Sequence, residues 1–275
     1  MYSDKSQQKI SKPVTLSTLK KMKAEGEKIT CITSYDASFT HAMNAAGVDT
    51  ILVGDSLGMV IQGQDSTLPV TIEDMCYHTA AVKRGNTNAF ILADMPFMSY
   101  SKPEQALDNA AKLMQAGASM VKLEGGSWLA ETVQLLSQRG IPVCAHLGLT
   151  PQSVHKLGGY KVQGKGDTAA DLLLQESLDL VAAGADILLY ECIPTALGQL
   201  LTEAVSVPTI GIGAGHHTDG QVLVMHDMLG INLGHRPRFV KNYLSEGRNV
   251  QQAFEAYINE VKDGSFPGPE HGFKS

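Results

Sequence analysis

Four short apolar runs in this chain each end on a carboxylate: TILVGD at Asp55, AFILAD at Asp94, SMVKLE at Glu124 and DILLYE at Glu191. One acid closing a buried strand means little, since it can cap the next helix or answer its dipole. Four in the same position bring negative charge to one rim, where like charges repel unless a cation or a proton resolves the conflict. Such a rim suits a hard cation and a carboxylate acting as proton acceptor. The short side chains of Asp55 and Asp94 are fitted to ligate directly, and Glu124 to bind through a water. Magnesium is expected rather than zinc, because the chain has no HExxH and no cysteine–histidine cluster.

Lys122 stands two residues before Glu124, so on a strand both side chains face the same way. An inward lysine either pairs with a neighbouring acid or neutralises a substrate carboxylate or a developing oxyanion. His146 closes a later apolar run and reads equally well as a structural histidine or as an auxiliary to the site. His216, His217 and His226 read as surface or structural residues. The glycines of GIGAG, at 211–215, could hold an anion on backbone amides or serve only for tight turning.

The elements that must carry these residues alternate regularly. Three of the four acidic runs follow a helix-like segment that closes on Ala-Gly, where glycine suits the left-handed residue that stops a helix. Strands are expected at 28–34, 49–54, 89–93, 120–123, 141–146, 187–190, 207–213 and 221–227. Helices are expected at 14–25, 36–46, from Thr71 to about Arg84, from Pro103, at 129–138, after the long loop 148–168, at about 196–205 and at 250–261. Thr71 with Asp74 forms a variant capping box, and Pro103 suits a first helical turn. The excursion 55–71 is long for a compact domain, as functional loops are. The pattern predicts an α/β fold: a single-domain (β/α)8 TIM barrel over residues 14–265, with a polar leader at 1–13 and a loose tail at 266–275. An open doubly wound sheet fits less well, because no GxGxxG follows the first strand.

Composition narrows the function classes. A hydrophobic share of 43% with 18% charged residues supports a full core. A net charge of −6 without a basic run argues against nucleic acid. The first residues, MYSDKSQQKISKP, show no apolar signal region, and no run approaches the ~20 residues of a membrane span. Four scattered cysteines without CxxC point to reduced thiols and a cytoplasmic protein.

The strings VGDSLGMV (53–60), LPVT (68–71), ADMPFMSY (93–100), VKLEGG (121–126), AHLGLTPQ (145–152) and IGIGAG (210–215) strongly resemble the ketopantoate hydroxymethyltransferase family, in order, from about residue 14 to 265. The resemblance implies a cytoplasmic, magnesium-dependent (β/α)8 enzyme of pantothenate biosynthesis, with one Mg2+ per subunit and a decamer built from pentamers. It implies transfer of a one-carbon unit from 5,10-methylenetetrahydrofolate to 3-methyl-2-oxobutanoate. Its metal positions fall on Asp55, Asp94 and, more distantly, Glu124. Its keto-acid contacts fall on Asp55, Ser56, Asp94 and Lys122, and its proton acceptor on Glu191. His146 is a possible auxiliary. In such a reaction Glu191 takes the C3 proton, the enolate attacks the methylene carbon delivered by folate, and water completes the hydroxymethyl group. Two rival readings are a magnesium-dependent barrel C–C lyase of the phosphoenolpyruvate mutase/isocitrate lyase type and a non-catalytic oxo-acid sensor. The former carries a KKCGH-type loop that is missing here, and the latter would need no base.

Overall fold

In the computed structural model, which describes residues 12–231, 234, 236–245 and 247–274, eight parallel strands close into a barrel in sequence order. They are β1 (Ile29–Thr33), β2 (Thr50–Val53), β3 (Phe90–Asp94), β4 (Met120–Glu124), β5 (Val143–Gly148), β6 (Ile187–Glu191), β7 (Thr209–Ile212) and β8 (Gly220–Leu223). The first four are buried along their whole length. That is why they are rich in apolar residues without a clear alternation: a parallel barrel strand has side chains against the interior on one face and helices on the other. The (β/α)8 expectation holds.

Local signals in the sequence set the helix ends. Asp36 caps the helix Ala37–Ala46 by accepting from the amides of Ser38 and Phe39. Thr71 and Asp74 form the capping box of Ile72–Gly85, and Pro103 opens Pro103–Ala116. The Ala-Gly stops take positive φ as expected, 89° at Gly47, 120° at Gly117 and 110° at Gly184. The last helix, Val250–Asp263, seals the barrel seam. Its Tyr257 hydroxyl lies between the carbonyls of Cys31 on β1 and Gln221 on β8, at 3.0 and 2.9 Å, and donates to them.

Two expectations are corrected, the end of β8 and the looseness of the tail. β8 stops at Leu223, and Met225–Met228 is a helical turn, because the Val224 backbone leaves the ladder and Met225 N donates instead to the Thr33 hydroxyl at 2.9 Å. No helix separates β7 from β8; residues 213–219 return directly. The tail is docked rather than loose. Phe266 is 3% exposed, with its ring edge-on to Tyr243 and Tyr257, and the Thr195 amide donates to the Phe273 carbonyl at 3.0 Å. An apolar ring among polar and Gly/Pro residues was the signal for that docking. Of the expected leader, residues 1–11 lie outside the described residues.

Among the described residues the four cysteines are free thiols, three of them buried, and no helix is long and apolar enough to cross a membrane. The docked tail predicts that Phe266→Ala destabilises the protein by about 3–5 kcal/mol, as for a buried core aromatic. Urea unfolding checks this: a lower midpoint at unchanged m is expected, and no shift would mean a tail that carries no stability.

Candidate active site

Strand register places the charges. Asp94 on β3 stands beside Lys122 on β4, and Glu124 on β4 stands beside His146 on β5. The pairs follow: Lys122 Nζ lies 3.0 Å from Asp94 Oδ1 and 3.5 Å from Glu124 Oε1, and His146 Nδ1 lies 3.2 Å from Glu124 Oε1. On its other edge His146 Nε2 faces Glu191 Oε2 at 3.3 Å, a charge contact without an aligned hydrogen bond. Asp55 follows β2, and its amide donates to Asp94 Oδ2 at 3.0 Å. Ser56 shares a hydrogen bond with the Tyr35 hydroxyl at 2.8 Å. All the site residues expected from the sequence therefore meet at the C-terminal end of the barrel, where such folds carry their chemistry.

Charge reasoning missed three neutral residues. Gln152 is the hub: its Nε2 donates to Asp55 Oδ2 at 2.8 Å and to the Met95 carbonyl at 3.0 Å, and its amide donates to Glu124 Oε2 at 3.0 Å. Tyr100 donates to Gln152 Oε1 and to the Glu124 carbonyl. Tyr160, on the loop after β5, touches Met59 Sδ with its hydroxyl at 3.5 Å. The two excursions after β2 and β5 thus meet at the mouth, as covering loops would. Gln152 and Tyr100 close two of the strings that carry the resemblance, and that was their only signal.

The remaining candidates stand apart. His216 and His217 stack on each other, 4.0 Å between ring centroids, while His226 lies 5.6 Å from the Tyr35 ring. Gly213 has φ of 62°, and a Cβ there would come within 2.8 Å of Phe239, so tight turning accounts for that glycine. A cleft of about 510 Å3 between Thr195, Arg238 and the tail lies away from the acids.

Four carboxylates meet two cations in a place nearly free of water: Asp55 and Asp94 are each 3% exposed. Burial, then the charges of Asp94 and Glu124, push the Asp55 carboxyl well above the usual carboxylate range. Burial raises Asp94 as well, against the pull of Lys122. Glu124 is held low: burial opposes ionisation, but Lys122 and His146 outweigh it. Burial and Lys122 oppose a charge on His146, yet Glu124 and Glu191 lift it to about 9, so it is an imidazolium at neutral pH.

A divalent cation fits this set. Asp94 Oδ1 is buried and, apart from the Lys122 charge, has no hydrogen-bond donor. Asp55 and Asp94 hold more negative charge than Lys122 offsets, and hard cations favour such oxygen ligands. Among the described residues no three His, Cys, Asp or Glu side chains form a complete ligand set, so two carboxylates would share the ion with water and substrate. Glu124, its oxygens already engaged, stands one layer back.

The family model described as ketopantoate hydroxymethyltransferase matches residues 13–269. The chain is 87% identical over its whole length to the 3-methyl-2-oxobutanoate hydroxymethyltransferase of Marinomonas sp. (strain MWYL1), all of which is covered. It is 62% identical to the enzyme of that name from Shewanella frigidimarina (strain NCIMB 400), across 94% of this chain and 98% of that one. Among solved structures it is similar in fold to a putative phosphonomutase from Burkholderia cenocepacia J2315, with TM-score 0.62, 17% identity, and coverage of 78% and 93%. It is likewise similar to 2,3-dimethylmalate lyase, a phosphoenolpyruvate mutase/isocitrate lyase superfamily member, with TM-score 0.57, 16% identity, and coverage of 92% and 89%.

His146 gives a signed pH prediction for chelator-treated protein. Its pKa is raised on folding, so its stabilisation is full below the unfolded value near ~6.5 and is lost as pH rises toward about 9. Between those limits wild type should lose up to about 3 kcal/mol more unfolding free energy than His146→Gln. Equal losses in urea titrations of the two proteins would contradict the assignment.

Proposed function

The chain belongs to the ketopantoate hydroxymethyltransferase family, and we propose that it transfers a hydroxymethyl group to 3-methyl-2-oxobutanoate, with 5,10-methylenetetrahydrofolate as donor and Mg2+ on Asp55 and Asp94. The observation that carries the reading is the meeting of buried Asp55, Asp94 and Lys122 with the more open Glu191, across His146, at the mouth of the barrel. In net terms, C3 of the keto acid loses a proton and gains CH2OH. Water supplies the hydroxyl, and tetrahydrofolate leaves.

When bound, the cation supplies Lewis-acid polarisation of the ketone, which acidifies the C3 hydrogen. The protein does the rest. Lys122, buried and drawn strongly toward its charged form by Asp94, Glu124 and Asp55, offsets the substrate carboxylate and the charge that develops on the ketone oxygen. Ser56, oriented by Tyr35, offers a hydroxyl to the carboxylate. Gln152 fixes Asp55 through its amide nitrogen, which keeps the two aspartates in one orientation. Glu191 is more open than its neighbours, with 15% of its side chain exposed, and stands on the far side of His146 from Glu124. It accepts the C3 proton, and the His146 imidazolium beside it holds the carboxylate in place.

The C–C lyase alternative is not favoured, since the likeness to the phosphonomutase and the dimethylmalate lyase is one of fold at 16–17% identity, while the transferase relative is 87% identical. A non-catalytic sensor would have no use for Glu191 facing the site. We extend the proposal to the cytoplasmic homodecamer that the family resemblance implies, for which sedimentation of the purified protein is the check.

Glu191→Gln is expected to bind the keto acid but to lose exchange of its C3 hydrogen with deuterium oxide in the absence of folate. The loss should be roughly 10²–10⁴-fold, the usual range for a general base. NMR reads the exchange directly, and retention at the wild-type rate would remove Glu191 from the role. Asp94→Ala should sharply weaken magnesium-dependent turnover, and an unchanged metal titration in that variant would exclude Asp94 as a ligand.

A further inference from the structure

One cavity beside the acids has aromatic walls that the keto-acid chemistry does not use. It measures about 200 Å3, and its floor is formed by Glu124 and Gln152, with Phe97, Met98, Tyr100 and Trp128 around it. Three of those side chains are large, apolar and open to solvent: Phe97 is 44% exposed, Met98 57% and Trp128 66%. Single exposed apolar residues are ordinary on a protein surface; three around one cavity that shares Tyr100, Glu124 and Gln152 with the active site mark a binding surface.

The shelf is built rather than incidental. Trp128 lies nearly parallel to Tyr100, with centroids 6.4 Å apart and 12° between the rings. A Cβ at Gly125, whose φ is 150°, would stand 2.4 Å from Trp128 Cζ2, so only glycine lets the indole lie down on that backbone. Met98 takes φ of 61°, a left-handed conformation that a side chain of its kind rarely adopts, and this turns the loop after β3 toward the cavity. Tyr100 is in turn held by its hydrogen bonds to Gln152 and Glu124. The partition from the reaction centre is one side chain thick, since Gln152 lines this cavity while its Nε2 lies 2.8 Å from Asp55.

We infer that this shelf binds the pterin ring of the folate co-substrate, stacked on Trp128 and flanked by Phe97 and Met98. The inference rests on the hydroxymethyltransferase reading. A flat fused heterocycle matches aromatic walls over a polar floor. The volume admits one bicycle and leaves the aminobenzoyl-glutamate portion outside. Because Gln152 both lines this cavity and contacts Asp55, a folate held here lies one side chain away from the keto-acid site, which a pocket elsewhere on the surface would not achieve.

Trp128 is the only tryptophan in the chain, so it reports on its own site. Tetrahydrofolate titrated into the full-length enzyme, saturated with Mg2+ and keto acid, should produce a saturable change in tryptophan emission. Trp128→Ala should raise the KM for the folate by roughly 5- to 150-fold, the range for loss of an aromatic stacking platform. The KM for the keto acid and folate-free C3 exchange should stay at wild-type values. Phe97→Ala should do the same more weakly and serves if the tryptophan variant does not fold. Emission indifferent to folate, emission that instead follows protein concentration, or an unchanged folate KM in both variants would overturn the subsite while leaving the transferase reading intact. A wild-type enzyme that makes no ketopantoate would sink that reading and the subsite with it.

Discussion

A surplus of carboxylate in a nearly dry barrel mouth governs the rest of this structure. Among the described residues the cations that face Asp55, Asp94, Glu124 and Glu191 are Lys122 and His146, and the two aspartates are each 3% exposed. Burial of charge is tolerated only with pairing, so the site orders itself by how well each acid is compensated. Glu124 has a lysine, an imidazolium and a backbone amide, and stays ionised. Asp55 is driven toward protonation by burial and by the charges of Asp94 and Glu124, which outweigh the pull of Lys122 and the Gln152 side-chain amide. The poorly compensated pair is where a cation gains most. On the proposed function an anionic keto acid would add to that surplus of negative charge, so substrate and cation would favour one another's binding.

The barrel makes that surplus possible by fixing position before any side chain moves. Asp94 and Lys122, and then Glu124 and His146, are in-register neighbours on adjacent strands. A slip of one residue would turn each of them to the opposite face. The deeper ladder is buried and closed, and Tyr257 of the last helix ties its first strand to its last. A rigid sheet end holding its charges from several strands gives a preorganised field at the reacting atoms. Above the sheet end the loops after β2 and β5 meet through Tyr160 and Met59.

Most of this was legible in the amino-acid order because it rests on periodicity and charge. Apolar runs ending on acids marked β2, β3, β4 and β6, and Ala-Gly stops marked the helices before three of them. Lys122 and Glu124 announced a shared face by their spacing of two, and Ser56 entered only through the family strings. Neutral residues carried no such flag. Gln152 and Tyr100 organise the acids through hydrogen bonds between segments far apart in sequence, which a pattern of polarity along one segment does not encode. The end of β8 was misjudged because VMHD continues an apolar pattern while the backbone turns to meet Thr33. The tail was misjudged because Gly and Pro suggested looseness, whereas Phe266 anchors it.

The direct test is calorimetric titration of Mg2+ into chelator-treated protein at mildly acid pH, in two buffers of different ionisation enthalpy, with and without 3-methyl-2-oxobutanoate. The account predicts saturable binding that tightens with the keto acid and releases protons, with both features lost in Asp55→Asn. Metal binding that Asp55→Asn leaves unaltered, or that releases no proton, would contradict it.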